Sequence, residues 1–129
     1  MDLTVNDMCF ACGQANPIGL KLTFRLENDR YKTELATKEL HQGYVGIVHG
    51  GIIACALDEA MARLIWIKKL NAVTAHFEVR FKNLVLVGQK LSIAAKILRD
   101  KGKIIEAEAH ASLPDGTLAA AAKAKFVRV

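Results

Sequence analysis

One segment of the sequence, residues 52–70, is apolar around almost the whole circumference of the helix that it predicts. It reads IIACALDEAMARLIWIKKL and has no polar face before its two terminal lysines. A helix that is hydrophobic on all sides belongs inside a domain. We therefore expect one long central helix that the rest of the chain covers.

Two carboxylates, Asp58 and Glu59, lie in the middle of this segment. Burying an unpaired carboxylate costs several kcal/mol or changes its pKa, and such groups concentrate at functional sites. Neighbouring helical residues are separated by about 100° around the axis, so the two side chains cannot face the same pocket. We assign Asp58 to a catalytic site and Glu59 to a position beside it or at an interface. The structural alternative pairs Asp58 with Arg63 or Lys82.

The sequence His49-Gly50-Gly51 directly precedes the apolar segment. The glycines leave the backbone N–H groups of the helix start accessible, and the helix dipole favours an anion there. An oxyanion-binding helix start and an inward carboxylate on one helix indicate hydrolytic acyl chemistry. His49 has two open roles, since its ring either caps the helix or contacts the substrate.

Length and composition predict a single domain, residues 1–129, with an irregular lead-in over residues 1–19. Hydrophobic residues make up 52% of the chain, a surplus that suits a subunit partly covered by a copy of itself in a homodimer or homotetramer. No signal peptide is recognisable, and the charges within residues 52–67 argue against a membrane span. We expect a cytoplasmic protein with no membrane contact.

The formal net charge is +5, with lysines and arginines spread along the chain. Nucleic-acid binding calls for a clustered basic stripe with interleaved aromatic residues, and aromatic residues make up only 6% of the chain. We therefore expect no nucleic-acid partner. Mild basicity suits a substrate that carries phosphates, such as a coenzyme A thioester, and a solvated surface accounts equally well for any single lysine.

The three cysteines, Cys9, Cys12 and Cys55, lack the spacing of a disulfide framework, which is consistent with a reducing compartment. Cys9-x-x-Cys12 is only half of a metal site, and the nearest histidines, His41 and His49, have no finger-like spacing. We expect a local turn with two small buried side chains there, no metal and no cofactor. Cys55 has no activating neighbour in the sequence and is expected in the core.

Alternating apolar and polar residues predict antiparallel strands on both sides of the helix. The predicted strands cover residues 20–26, 30–37, 73–81, 90–98, 103–113 and 118–129. In the strand after the helix, the alternation places Val73 and Phe77 on the covered side and Thr74 and His76 on the polar side. Only one helix is available to cover this sheet, so we expect the sheet to curl around both faces of the helix.

This combination of elements and motifs resembles a known family. The segment HGGIIACALDEA, residues 49–60, resembles the HGG-x6-D segment of PaaI-like acyl-CoA thioesterases. CFACG and NPIGL in the lead-in, and TAHFEVRF at residues 74–81, are similar to other segments of that superfamily. The resemblance covers essentially the whole chain. It implies an α+β hotdog fold, in which a curved antiparallel β-sheet is wrapped around one long central α-helix.

The resemblance also implies an enzyme that is at least a dimer, with two helices side by side and two sites at the interface. It implies that the Gly50 backbone N–H polarises the thioester carbonyl. Asp58 of the partner subunit then acts as nucleophile or as general base on water. The Ser or Thr that the family places on the following strand corresponds to Thr74.

The sequence departs from the family at Gly43, where many relatives have an asparagine that assists with the carbonyl. His41, Gln42 and His49 are the candidates to replace it, which leaves the second oxyanion donor open. The complete set of substrate-binding candidates is His49, Gly51, Gly43, His41, Glu59 and Arg80.

A motif with so few polar groups suits a thioester, because a thiolate leaves readily without acid catalysis. One oxyanion donor, worth roughly 10²–10³ in rate, and one base or nucleophile suffice. The sequence therefore predicts an acyl-CoA thioesterase that hydrolyses a small-molecule acyl- or aryl-CoA thioester to the free acid and coenzyme A. The alternatives are a non-catalytic acyl-CoA-binding or regulatory hotdog protein and a structural oligomer with a vestigial site.

Overall fold

The computed structural model describes all 129 residues and contains one long helix and six β-strands. The helix, α1, spans Gly50–Ile67 and follows a short 3-10 turn at Glu39–His41. Two strands precede the helix and four follow it, as the sequence predicts. The strands are β1 (Arg25–Glu27), β2 (Arg30–Ala36), β3 (Ala72–Phe81), β4 (Lys90–Lys101), β5 (Ile104–Ser112) and β6 (Leu118–Arg128).

All six strands belong to one antiparallel sheet in the order β1-β2-β4-β5-β6-β3. Helix α1 lies against one face of this sheet and contacts β2 to β6. The connection from α1 to β3 carries the chain to the far edge, and the last three strands fill the space back to β2. No helix combines the length and the hydropathy needed to cross a membrane.

One stripe of α1 packs against the sheet. Its buried side chains recur at three- and four-residue spacing: Ile53, Ala56, Leu57, Ala60, Met61, Leu64 and Ile65. Strands β5 and β6 face the core with small residues such as Ala107 and Ala122, which let the backbone approach the helix closely. The opposite stripe, which includes Cys55, Asp58 and Trp66, is only half-buried. The prediction that the sheet covers both faces of the helix is therefore wrong for a single chain.

The strand predicted at residues 20–26 is wrong in its first part, because β1 begins only at Arg25. Lys21 has a φ of +53°, a left-handed conformation that interrupts extended backbone. Leu22 donates its backbone N–H to the carbonyl of Ala11 at 2.9 Å. The lead-in therefore takes the place of a neighbouring strand at this point.

Strand β3 contains a β-bulge at Ala75, since Thr74 pairs with Phe126 of β6 and His76 pairs with the adjacent Lys125. A bulge of one residue shifts the side-chain alternation and re-aims the residues beside it. Phe126 is fully buried beneath α1, so its cross-strand neighbour Thr74 faces the helix as well. Simple alternation put Thr74 on the polar side of the strand, and the bulge reverses that prediction.

Strand β3 forms one edge of the sheet and pairs only with β6. It is ten residues long, and an edge of that length exposes unpaired backbone groups to which another strand can pair. Together with the half-buried stripe of α1, this edge is a surface that the chain does not cover by itself.

Candidate active site

A cavity of about 690 Å³ lies at the N-terminus of α1. One wall is the loop before the helix, from Gly43 to Gly50, and the other is the segment at residues 81–85. Tyr44 and Phe81 stand at its rim with most of their surfaces exposed. The start of the helix therefore opens into a space of ligand size, as an oxyanion-binding role requires.

Gly50 is the first residue of α1, and its N–H donates to no acceptor within the chain. The first N–H groups of any helix lack intrahelical partners, so this donor is available to a ligand. A Cβ built on Gly50 would lie 3.3 Å from the ring of Phe81. Glycine thus allows the ring to pack closely over the helix start.

His49 caps α1, because its Nδ1 accepts a hydrogen bond from the Gly51 N–H at 2.8 Å. A Cβ on Gly51 would lie 3.0 Å from the same nitrogen, so the absence of a side chain at Gly51 leaves room for the His49 ring. Of the two roles open for His49, the structure displays the cap. The hydrogen bond occupies the Gly51 N–H, which leaves the Gly50 N–H as the free donor.

Asp58 lies on the half-buried stripe of α1, where Thr74 Oγ1 donates a hydrogen bond to its Oδ1 at 2.9 Å. Burial raises the pKa of Asp58 above its ordinary value, the Thr74 hydrogen bond opposes this rise, and the charge of Glu59 adds to it. Neither Arg63 nor Lys82 forms an ion pair with Asp58, so the pairing considered as the structural alternative is not formed. Asp58 is therefore a half-buried carboxylate without a counter-ion.

The structure brings Asp58 and Thr74 together but separates them from Gly50. Asp58 follows Gly50 by eight positions along α1, which at a rise of 1.5 Å per residue is a distance of about 12 Å. One carbonyl group cannot reach the N–H and the carboxylate of the same chain. The catalytic trio predicted from the sequence is incomplete within a single chain.

The other predicted site residues lie in different places. Gly43 lines the cavity and packs against His49, where a Cβ would be 3.3 Å from the histidine. His41 is buried outside the cavity, its Nδ1 accepts the Lys38 N–H at 3.2 Å, and burial and the charge of Lys38 lower the pKa of the ring. Arg80 is exposed on β3 outside the cavity.

Glu59 does not line the cavity at the helix start. It lies beside the lead-in, where Cys9 Sγ donates a weak hydrogen bond to its Oε2 at 3.4 Å. The separation of Asp58 from Glu59 follows from their angular offset on the helix, as the sequence predicts.

Sequence reasoning missed the second wall of the cavity, residues 81–85. The backbone N–H of Lys82 donates to the Ala119 carbonyl at 2.8 Å, and the Asn83 side chain donates to the Leu118 carbonyl at 2.7 Å, which fixes the segment at the start of β6. Val85 is buried, whereas Leu84 is exposed toward the cavity. The signal available in the sequence was the apolar run LVLV at residues 84–87, shortly after the strand.

The family model of the thioesterase superfamily matches residues 45–120, which include α1, β3, β4 and β5. The match covers more than half of the chain and includes the loop before the helix. The chain belongs to the thioesterase superfamily. A comparison with curated proteins found no significant match.

Solved structures share the architecture. The PaaI protein of Escherichia coli, from the phenylacetic acid degradation operon, has a TM-score of 0.79 at 15% identity, over 85% of this chain and 80% of its own. Zebrafish thioesterase superfamily member 2 has a TM-score of 0.80 at 17% identity, over 92% of each chain. A hypothetical thioesterase protein of Streptococcus pneumoniae, solved with coenzyme A, has a TM-score of 0.79 at 13% identity, over 84% of this chain and 85% of its own.

These likenesses establish the fold. The predicted hotdog architecture, with one long helix packed on a six-stranded antiparallel sheet, is confirmed. The predicted resemblance to PaaI-like thioesterases is confirmed as well.

Proposed function

We propose that this protein is an acyl-CoA thioesterase, which hydrolyses a small-molecule acyl- or aryl-CoA thioester to the free acid and coenzyme A. One observation carries the proposal: a single helix has a free Gly50 N–H at a cavity and, two turns later, the half-buried Asp58 held by Thr74. Superfamily membership and the solved complexes of similar folds with coenzyme A and acetyl-CoA support this substrate class.

The proposal requires a site built from two chains, because about 12 Å separates Gly50 from Asp58 along α1. In a homodimer with the two helices side by side, Gly50 of one chain faces Asp58 of the partner subunit. The uncovered edge of β3 and the half-buried stripe of α1 support such an assembly. Twofold symmetry then gives two identical sites.

In the proposed reaction, the Gly50 N–H donates to the carbonyl oxygen of the thioester. It stabilises the negative charge that develops on this oxygen, assisted by the helix dipole. Asp58 either attacks the carbonyl carbon or removes a proton from an attacking water. In both cases the C–S bond breaks, and coenzyme A leaves as a thiolate that takes a proton from solvent. Attack by water gives the free acid directly. Attack by Asp58 leaves the acyl group on the carboxylate as a mixed anhydride, which water then hydrolyses to release the free acid and restore Asp58.

The environment of Asp58 suits either role. Its raised pKa makes the carboxylate a stronger base than an exposed aspartate. The Thr74 hydroxyl donates to Oδ1, which leaves Oδ2 free for the substrate or the water. Thr74 therefore orients the carboxyl group.

The spacing of two substituted residues in one of the similar structures supports the choice of Asp58 and Thr74. The Streptococcus pneumoniae protein has also been solved with one threonine and with one aspartate replaced by alanine, and these two positions are 16 residues apart. Asp58 and Thr74 are separated by the same 16 residues.

The test is Asp58→Asn, which keeps the shape of the side chain and removes its charge. We expect wild-type protein to release free thiol from at least one member of a panel of short, long and aryl acyl-CoAs. The variant should lose a factor of about 10²–10⁴ in kcat, the usual contribution of a base. Circular dichroism and gel filtration check that the variant is folded and assembled.

Full activity of Asp58→Asn on every accepted substrate would refute the assignment of this residue. Binding of acyl-CoAs by the wild-type protein without thiol release on any of them would instead support the non-catalytic binding protein. Isothermal titration calorimetry on the same panel separates these outcomes.

A further inference from the structure

Three groups that ligate metals meet where the lead-in packs against α1. The Sγ atoms of Cys9 and Cys12 and a carboxylate oxygen of Glu59 all lie within 4.8 Å of one another. Each of the three residues is half-buried. The cluster lies outside the cavity at the helix start, because Cys9 and Glu59 line a second, separate cavity.

The distances suit a tetrahedral zinc ion. With Zn–S bonds of about 2.3 Å and Zn–O bonds of about 2.1 Å, the edges of the tetrahedron are about 3.8 Å between two sulfurs and about 3.6 Å between sulfur and oxygen. Cys9 Sγ and Glu59 Oε2 are 3.4 Å apart, close to the second value. The upper limit of 4.8 Å for the remaining pairs leaves only small side-chain rotations to be made.

The turn that carries the two cysteines is tightly built. The Gly13 N–H donates to the Cys9 carbonyl at 2.8 Å, and the Gln14 N–H donates to the Asp7 side chain at 3.0 Å. A Cβ on Gly13 would lie 2.5 Å from the backbone of both Asp7 and Cys9, so only glycine fits. The turn therefore holds the cysteines on one side of a rigid loop, with both thiols toward α1.

The charges around the cluster are also suitable. Glu59 forms no ion pair, although Arg63 lies one helical turn away. The Arg63 guanidinium stacks on the ring of Trp66, 4.7 Å from its centroid. Two thiolates and one carboxylate carry three negative charges, which one divalent cation and the adjacent Arg63 would balance.

We propose that Cys9, Cys12 and Glu59 bind one zinc ion and so fasten the lead-in to α1. Zinc is favoured over magnesium or calcium because two of the three ligands are thiolates. Binding releases the two thiol protons to solvent. A cavity of about 460 Å³ opens beside Cys9 and Glu59 and gives water access to the fourth ligand position.

This site is distinct from the thioesterase centre in its ligands but adjoins it along the helix. Glu59 directly follows Asp58, so the bound ion would fix the helical turn that carries the proposed catalytic carboxylate. The role is structural, with no step of hydrolysis passing through the ion.

The experiment measures metal content and cobalt spectra of the full chain. After production in zinc-supplemented medium and gel filtration, we expect about one zinc per chain by elemental analysis. Replacement by Co²⁺ should give a near-ultraviolet thiolate-to-cobalt band and the visible bands of tetrahedral cobalt. Removal of the metal with a chelator should lower the melting temperature by several degrees and make the lead-in sensitive to protease.

Variants assign the ligands. Cys9→Ser, Cys12→Ser and Glu59→Gln should each weaken zinc binding more than about 100-fold, since even residues that only support a ligand account for 10–100-fold. Cys55→Ser is the matched control, because this third half-buried cysteine lies outside the cluster and its loss should leave zinc binding unchanged.

Asp58→Asn separates this proposal from the proposed function, because it should abolish hydrolysis and keep the zinc. If the purified wild-type chain carries no zinc and gives no thiolate-to-cobalt band on titration with Co²⁺, the site does not exist. Retention of full zinc affinity by both cysteine variants, or formation of a Cys9–Cys12 disulfide in place of metal binding, also overturns the proposal. The zinc content and the cobalt titration are measured on folded wild-type protein, so misfolding of a variant does not hide the answer.

Discussion

The two-chain site can be tested by restoring activity from two inactive variants. The first variant, Gly50→Pro, removes the backbone N–H that is proposed to bind the carbonyl oxygen. Proline is well tolerated at the first position of a helix, and His49 already has the extended ψ of 131° that a residue before proline prefers. The matched control is Gly50→Ala, which adds a Cβ beside Phe81 but keeps the N–H.

The expected loss follows from the role of a single oxyanion donor. Gly50→Pro should lower kcat by about 10²–10³, or about 2.7–4 kcal/mol of transition-state stabilisation. Gly50→Ala should stay within a few-fold of wild type, because its Cβ meets only the exposed ring of Phe81 at 3.3 Å, and that ring can shift. Equal losses in both variants would mean that the side chain, not the missing N–H, is responsible.

The decisive assay mixes Gly50→Pro with Asp58→Asn after co-unfolding and refolding, and measures thiol release. If Gly50 of one chain works with Asp58 of the partner subunit, each mixed dimer has one intact site. Random pairing places half of the chains in mixed dimers, so about a quarter of wild-type activity should return. If both groups had to come from the same chain, no dimer would contain an intact site. Activity no higher than that of the separate variants would therefore refute the two-chain site.

Three further changes test the surroundings of this site. Thr74→Val removes the hydrogen bond that lowers the pKa of Asp58, so the acid limb of the kcat/KM profile should move to higher pH, whereas Thr74→Ser should keep the wild-type limb. Asp58→Asn should raise the melting temperature at neutral pH, because burial penalises the ionised form of Asp58. Below the ordinary aspartate pKa of about 3.9 the carboxyl group is protonated, so the substitution should have no effect on the melting temperature there. An equal gain at both pH values would contradict this explanation. His49→Ala should lower the free energy of unfolding by about 0.5–2 kcal/mol in chemical denaturation, and His49→Asn should recover most of the loss; an unchanged His49→Ala would show that the cap contributes nothing.

The sequence predicts the parts of this fold that depend on local patterning. A helix at residues 52–70 and four strands after it were readable from hydrophobic periodicity, and the structure contains them as α1 and β3 to β6. Asp58 could be selected as a candidate site residue because a charged side chain within an apolar helix is unusual and costly to bury. For His49 the sequence left two roles open, a helix cap and a substrate contact, and the structure contains the cap.

The missed features depend on contacts between distant segments. The bulge at Ala75 is a shift of pairing between β3 and β6, and nothing in residues 73–81 marks it. The same holds for Glu59 beside Cys9, a contact between residues that are 50 positions apart. Cys9-x-x-Cys12 alone was half of a metal site, and the position of Glu59 beside the two cysteines became visible only through the packing of the lead-in on α1.

The position of Asp58 on α1 explains how an apolar helix accommodates an ionisable group. The stripe against the sheet has no polar side chain, and every charged residue within α1 lies on the stripe that the sheet leaves half-covered. Full burial would keep a carboxyl group protonated and unable to act as a base, whereas full exposure would leave it a weak base. Partial burial, moderated by the Thr74 hydrogen bond, raises the pKa of Asp58 without the cost of an enclosed charge. The incomplete cover of α1 in one chain is therefore compatible with the role of base or nucleophile that we propose for Asp58.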